Sequence, residues 1–551
     1  MKAFTKVAAC WTGVAIDLLV GLAVAQIRVN PAMAQATSPP SAGGTRPNIV
    51  VILVDDMGFS DIGCYGGEIP TPAIDRLAAG GLRFTQFYNT ARCCPTRAAL
   101  LTGLYSHQAG VGHMTEDRGA PGYRGRLNDR CVTIAEVLHD TGYFTAMTGK
   151  WHVGQNFGVV PWRRGFQRVL NSPAGGFYYQ GHGPGSEMFL DGRLLAEDDP
   201  ALPPGWYSTD LWTDYGIKFV DEAIAAKKPF FLYLAHNAPH FPLQAPQEDI
   251  AKYRGRYKAG WDKLRAERYA RQISLGIVDK AWALSSLPPE VSAWDRLTAA
   301  EQDRFDHIMA IYAAVVAHMD TSVGRFVAAL RDRGVLDNTL LLFLSDNGAN
   351  AESGPKGLLE GKLPGSSSSE VFQGQSWATL SNTPLRRYKH YNHEGGIATP
   401  LIVHWPACIK TPGALRQQPG HVIDIMATCV DVAGARYPAE SKGKSIQPME
   451  GKSLVPALDN HPIERDAIYW EHEGNAAVRV GDWKLVRLGR RGPWELYNLL
   501  NDRTEQHDLA AAEPHRVQEL AAQWDAWAER THVKPYPKTI AKKNAKGEPA
   551  R

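Results

Sequence analysis

Residues Asn48-Ile-Val-Val-Ile-Leu-Val54 form an unbroken apolar, β-branched run, the pattern of a strand buried on both faces of a parallel sheet. The run stops at Asp55-Asp56, and a helix is expected from a Thr71 cap, with Pro72 at its first position, to Gly80-Gly81. The alternation recurs. A helix near Val132–Thr141 precedes a strand ending at Gly149-Lys150, and a helix near Leu211–Ala226 precedes the strand Phe230–Ala235. A long helix near His307–Arg333 precedes Leu340–Leu344, and a strand at Leu401–His404 leads into a helix near Val422–Gly434. The body therefore reads as α/β, a large mixed, mostly parallel sheet flanked by helices on both faces. From about Ile468 the pattern shortens to the alternating stretches Ala477–Val480, Trp483–Arg487 and Trp494–Tyr497, then a helix near Pro514–Ala528. That predicts a smaller C-terminal α+β domain of antiparallel sheet plus helix, with body 47–460 and second domain 461–538.

Length and composition agree with this division. A chain of 551 residues, 44% of them apolar, exceeds one ordinary core and suggests a large domain with a smaller one. Sixty basic residues against 57 acidic ones, spread along the chain, give no electrostatic case for nucleic acid as a partner. Residues 1–34 read as a signal peptide: Lys2 and Lys6 precede an apolar stretch to Ala25, and Ala32-Met33-Ala34 offers a cleavage site. An exported protein, periplasmic or secreted, is expected. Asp17 interrupts that stretch, and no later segment is long and apolar enough to span, so no stable membrane anchor is expected. Residues 35–46 read as a linker and 539–551 as a basic flexible tail. Cysteines 64, 93, 94, 131, 408 and 429 follow no framework spacing, so a disulfide is allowed but not needed for folding.

Four polar clusters follow apolar strands, at the carboxyl ends where open α/β sheets gather their active sites. They are Asp55-Asp56, Lys150-Trp151-His152, Asn237 to His240, and Asp346-Asn347-Gly348. Alone, Asp55-Asp56 or Asp346-Asn347-Gly348 is a good turn. Brought together, their hard oxygens and converging carboxylates predict a divalent cation, calcium or magnesium, and no His/Cys spacing of a zinc site accompanies them. Cys93 precedes Pro95, which suits the first turn of a helix, so an anionic ester near position 93 would meet free N–H groups with Arg97 facing the same place.

Six segments, in order, resemble the sulfatase family, and its bacterial arylsulfatase type in particular: Pro47–Gly58, Cys93–Gly103, Gly149–Gly154, Ala238–Pro242, Ser345–Gly348, and Asn382–Lys389 through Glu394-Gly-Gly396. Cys93-Cys94-Pro95-Thr96-Arg97 matches the family's CxPxR sequence in one register only, with proline two and arginine four residues after Cys93. The resemblance implies an alkaline-phosphatase-like fold and conversion of Cys93 to Cα-formylglycine by a formylglycine-generating enzyme. It further implies that modified Cys93, Asp55, Asp56, Asp346 and Asn347 hold the metal, calcium before magnesium. Arg97, Lys150, His152, His240 and Lys389 then surround the aldehyde hydrate and the sulfate. One hydroxyl of the hydrate attacks sulfur, His240 and Lys389 protonate the leaving oxygen, and loss of the second hydroxyl's proton towards His152 expels sulfate.

The expected function is thus sulfuric ester hydrolysis, on simple aryl esters and on a sulfated carbohydrate as natural substrate. A phosphodiesterase or phosphonate monoester hydrolase of the same superfamily is the enzymatic alternative, and a non-catalytic binder of sulfated glycans the other. Cys94 departs from many relatives, which carry a non-thiol beside the nucleophile. His107 is a weaker candidate on the same stretch. The insertions Tyr253–Arg304 and Gly365–Ser381 are expected near the mouth of the site, with Tyr178, Tyr179 and Trp377 able to stack on a ring or merely to pack.

Overall fold

The computed structural model describes residues 46–179 and 185–537. The expected signal 1–34, nearly all of the linker and the tail 539–551 lie outside them. The first apolar run is strand β1 (Asn48–Val54), and every residue of it is buried. Its alternate side chains enter two separate cores: Val50, Ile52 and Val54 one, Ile49, Val51 and Leu53 the other. A strand covered on both faces has no position at which water tolerates a polar side chain, and the unbroken run follows. At roughly 1.5–3 kcal/mol for each fully buried aliphatic side chain, this strand contributes heavily to the stability of the sheet.

Strands β2 (Leu82–Tyr88), β3 (Phe144–Lys150), β4 (Arg168–Ser172), β5 (Phe230–Ala235), β6 (Thr339–Ser345) and β7 (Ala398–His404) complete the main part of an eleven-stranded sheet. Its central order is β2-β7-β6-β1-β5-β3-β4, with short strands extending both edges. The run from β6 to β4 is parallel, and β7 lies antiparallel to both β6 and β2. One face packs against α1 (Pro72–Gly80), α3 (Ser208–Ala225) and α4 (Ala299–Asp332), the other against α2 (Cys93–Thr102) and α5 (Ile423–Val432). Asp320 of α4 accepts from the Ala73 and Ile74 amides at 3.1 and 2.8 Å, satisfying donors that the first turn of α1 leaves open.

Two helices begin earlier than their apolar periodicity implies. The long helix starts at Ala299, not near His307, because Thr298 and Glu301 form a capping box and its first turns are largely polar. The helix of the Cys93–Gly103 segment begins at Cys93, not Pro95; proline is tolerated in the first turn, where an amide has no partner within the helix. All ten residues of α2 are buried, Arg97 among them.

The C-terminal sheet has four antiparallel strands, β8 (Ile468–His472), β9 (Asn475–Val480), β10 (Trp483–Arg487) and β11 (Trp494–Asn498), backed by α6 (Pro514–Arg530). Trp524 and Trp527 of α6 join the same apolar cluster as the α2 face of the large sheet. The six described cysteines are all free. No described helix is long and apolar enough to cross a membrane.

His318 on α4 sits 2.9 Å from Asp210 and 3.2 Å from Asp249. Burial works against its charged form, yet the two carboxylates outweigh it and raise the imidazole above its ordinary value. A raised folded-state value adds stability below the unfolded imidazole's pKa and loses it as pH rises through the folded one. Urea titrations should therefore show wild-type stability falling towards that of His318→Gln as pH is raised from 6 to 8; a gap independent of pH would contradict the pairing.

Candidate active site

The carboxyl ends of β1, β3, β5 and β6 meet the amino end of α2 and the start of β7. Asp55 and Asp56 leave β1, Asp346 and Asn347 leave β6, and all four are buried. The Asp56 amide donates to Asp346 Oδ1 at 3.3 Å, and Asn347 Nδ2 donates to Asp56 Oδ1 at 2.7 Å. Cations face them closely. Lys150 Nζ is 2.7 Å from Asp55, the Arg97 guanidinium 2.7 Å from Asp346 and 3.3 Å from Asp55, and Lys389 Nζ 2.7 Å from Asp56. Burial would raise the Asp55 carboxyl, but Lys150, His240 and Arg97 together hold it well below the usual carboxylate range. Asp346 goes the opposite way: burial and the neighbouring Asp55 charge raise it despite Arg97. Asp56 and His152 both take left-handed backbone angles, φ 68° and 56°, an uncommon conformation for side-chain-bearing residues that clusters at functional sites.

Cys93 stands at the amino end of α2 with Cys94 and His152 around its sulfur. The Cys94 hydrogen bond, assisted by His152 and Lys150, holds the Cys93 thiol well below its ordinary value against the effect of burial. Cys94 itself is pushed up by burial and by Cys93. Burial, together with Lys150, lowers His152 to about 4, so it is neutral at pH 7. His240 Nε2 lies 3.6 Å from Asp56, and its Nδ1 lies 2.6 Å from the Phe241 carbonyl. Tyr178, whose hydroxyl donates to the His240 carbonyl at 2.8 Å, holds that segment from below.

The structure thus brings together Asp55, Asp56, Cys93, Arg97, Lys150, His152, His240, Asp346, Asn347 and Lys389. It places other candidates elsewhere. His107 is buried against Glu471 at 2.7 Å and against Tyr123, a structural histidine. Trp377 is fully buried among Trp261, Trp294 and Tyr257, and Tyr178 among aromatic neighbours, so both pack instead of stacking on a ligand. Two basic residues of Tyr253–Arg304 turn inward as well, while Lys258, Lys263 and Lys280 stay exposed: Arg268 pairs with Asp61 and Glu68 at 3.0 and 2.7 Å, and Arg265 donates to the Ser285 carbonyl. The other insertion does reach the site region, where Phe372 stacks on Phe241 at 4.3 Å and Phe241 on His240 at 4.2 Å.

Several supporting residues lie outside the candidate set read from the sequence. Asn350 Nδ2 donates to Asp56 at 3.0 Å, and Glu352 lies 3.4 Å from Lys389. The Asn382 side chain accepts from the Phe59 and Ala349 amides and donates to the Arg387 carbonyl, which ties the Lys389 loop to β1 and β6. Behind that loop, Lys484 Nζ lies 2.8 Å from both Glu394 and Glu505, and Arg503 binds Glu394 at 3.0 Å, all four fully buried. Gly395 and Gly396 admit the loop's close return, since a Cβ there would stand 2.2 Å from the Arg387 carbonyl oxygen and 1.9 Å from that of Tyr391.

Residues 47–435 match the family model described as Sulfatase, and residues 387–527 match N-sulphoglucosamine sulphohydrolase, C-terminal. The chain belongs to the sulfatase family. This sulfatase is 34% identical to an uncharacterized sulfatase of Schizosaccharomyces pombe over 91% of its own length and 97% of the relative's. It is 36% identical to an arylsulfatase of Klebsiella aerogenes over 77% of its length and 96% of the relative's. The crystal structure of Ps i-CgsB in complex with k-i-k-neocarrahexaose superposes with a TM-score of 0.66 at 28% identity, covering 90% of this chain and 96% of that one. The sheet of mixed, mostly parallel strands with its antiparallel C-terminal companion is the alkaline-phosphatase-like fold. The protein is an enzyme that hydrolyses sulfate esters.

Proposed function

We propose that this sulfatase acts through a formylglycine made from Cys93 by a formylglycine-generating enzyme, with a resident calcium ion. The observation that carries the reading is the meeting of Cys93, at a helix amino end, with a buried set of hard oxygens and cations. The fit for a divalent cation is good. Asp55 Oδ1 and Asn347 Oδ1 are buried without a hydrogen-bond partner, and oxygen-only donors suit calcium or magnesium. Asp55, Asp56, Asp346 and Asn347, with the modified side chain at 93, would hold it. Charge supports the same reading: a divalent cation offsets the burial and the Asp55 repulsion that raise Asp346, and together with Arg97, Lys150 and Lys389 it suits the pocket to an anionic ester. Such a cation supplies the field that favours proton loss from the attacking hydroxyl.

The hydrated aldehyde supplies two hydroxyls, one to attack sulfur and one whose deprotonation releases sulfate. The chain's own residues do the rest. Lys150 and Lys389 meet the ester's oxygens as point charges, and Arg97 fixes Asp55 and Asp346 in place. His152, neutral and beside position 93, accepts the second hydroxyl's proton. The His240 Nδ1–H donates to the Phe241 carbonyl, which turns Nε2 towards the cluster. In the imidazolium form Nε2 carries a second proton, which with the help of the charged Lys389 goes to the leaving oxygen and leaves His240 neutral.

The half-buried Phe241–Phe372 pair beside His240 offers a face on which an aryl or sugar ring can lie. A sulfated carbohydrate is the proposed natural substrate, in keeping with the k-i-k-neocarrahexaose held by the 28% identical relative. Export follows from the basic-apolar leader 1–34. Prolonged treatment with a chelator should abolish turnover of an aryl sulfate, and calcium should restore it better than magnesium. Activity untouched by chelation would sink the metal assignment, and a higher rate on the matched aryl phosphodiester would reverse the substrate class.

A further inference from the structure

A second group of metal-ligating side chains stands beside the site, outside the residues used above. His390 follows Lys389 in the loop, and His472 and Glu473 close the β8–β9 hairpin. Their candidate ligand atoms all lie within 4.8 Å of one another. His472 is completely buried, and neither of its ring nitrogens has a hydrogen-bond partner. An imidazole desolvated on both nitrogens is costly and unusual, and it points to a ligand. The hairpin supplies an independent indication. Glu473 and Gly474 both have positive φ, 54° and 88°, a two-residue turn that favours Asn-Gly, yet position 473 carries a glutamate. Its carboxylate reaches His390 Nδ1 at 2.9 Å and His113 Nε2 at 3.0 Å, with His472 Nε2 3.8 Å away.

The outer contacts are those of a metal-bound imidazole. His390 Nε2 donates to Glu352 at 2.8 Å, which fixes the tautomer and leaves Nδ1 facing Glu473. His113 stacks on His472 with ring centroids 5.5 Å apart, and its Nε2 lies 3.0 Å from both Glu473 and the Arg118 guanidinium. We propose that His390, His472 and Glu473 form a second metal site that takes a borderline divalent ion of the zinc class. Two imidazoles and one carboxylate, with a further position for His113 or solvent, are a donor set that zinc favours and calcium does not. One competitor lies close: the Arg92 guanidinium is within hydrogen-bond distance of both His390 ring nitrogens, 2.8 Å from Nδ1, so the ion must displace it from that nitrogen. Arg92 also pairs with Glu352 at 2.7 Å, so it keeps a partner when the ring turns to the ion. Since Glu352 contacts both His390 and Lys389, occupancy would be felt at the sulfate-binding lysine.

The test is equilibrium dialysis of the purified full chain against zinc alone, with calcium in excess, read by elemental analysis. One zinc per chain beyond calcium is expected. Cys93→Ser should retain it, which separates this site from the Cys93, Cys94 and His152 group. His390→Gln and His472→Gln should each weaken binding by at least about tenfold, and Glu352→Gln should weaken it less. His472 is buried and its replacement can cost the fold, so the partly exposed His390 carries the decision, with metal-free melting curves as the control. Absence of zinc from the wild type, or undiminished binding in a folded His390→Gln, overturns the proposal.

Discussion

Cys93→Ala should lower turnover of an aryl sulfate by at least about 10³-fold with little change in thermal stability, because it removes the proposed nucleophile while leaving a small residue at the first turn of α2. The serine variant separates the proposed mechanism from a simpler one. Cys93→Ser retains one hydroxyl in a comparable place but has no second hydroxyl to release the product. It should therefore take up one equivalent of sulfate from labelled ester and then stop. Continuous turnover by Cys93→Ser would mean that the reaction does not need an aldehyde hydrate. Full activity of Cys93→Ala would remove Cys93 from the chemistry altogether. The mass of the peptide carrying residue 93, from protein exported with its maturation machinery, gives the matching covalent result.

Lys484→Met should be the most destabilising single change away from the site. Lys484 lies 2.8 Å from Glu394 and from Glu505, all three fully buried, and its loss strands carboxylate charge that burial does not tolerate. Breaking a buried ion pair from one side costs about 3–5 kcal/mol, a large share of the stability of a marginally stable domain. Arg503, which binds Glu394 at 3.0 Å, compensates in part, so the lower end of that range is expected. Urea midpoints with unchanged slope would measure the loss. Removing the stranded partner as well, in Lys484→Met with Glu505→Leu, should recover much of it. A loss under about 1 kcal/mol would show that the network is not what anchors the loop. Glu394 begins the segment that returns to β7, five residues after Lys389, so the same variant should also raise KM for the sulfate ester.

Features that depend on local pattern are legible in the amino-acid sequence. The unbroken run of β1 requires burial on two faces, and that burial requires helices on both sides of a parallel sheet. The polar residues that stop each run lie at the carboxyl ends by the same logic. Asp55, Asp56, Lys150, His152, His240, Asp346 and Asn347 are therefore readable as one cluster, and the proline and arginine after Cys93 set its register. Periodicity is a poorer guide where every face is buried: α2 shows no apolar stripe, and its start at Cys93 is not marked by one.

Other features depend on contacts between residues far apart in the chain. His107 and Trp377 look chemically able in isolation, and only their packing against Glu471 and against the Trp261–Trp294 pair removes them from the site. Arg268 reads as a surface cation on a helical insertion, yet it is buried between Asp61 and Glu68, which lie far from it in the chain. The Glu394, Lys484, Arg503 and Glu505 network, and the meeting of His390 with His472 and Glu473, join the body to the C-terminal sheet. Sequence by itself determined the strands and the polar chemistry gathered at their ends, because each depends on the polarity and backbone preference of a short run of consecutive residues, while the choice of Cys93 as candidate nucleophile rests on the resemblance of its CxPxR segment. Only the tertiary structure decided which charges are paired, which aromatics pack and how the Lys389 loop is held, because desolvation and distance make a polar residue structural or functional, and both belong to the folded chain.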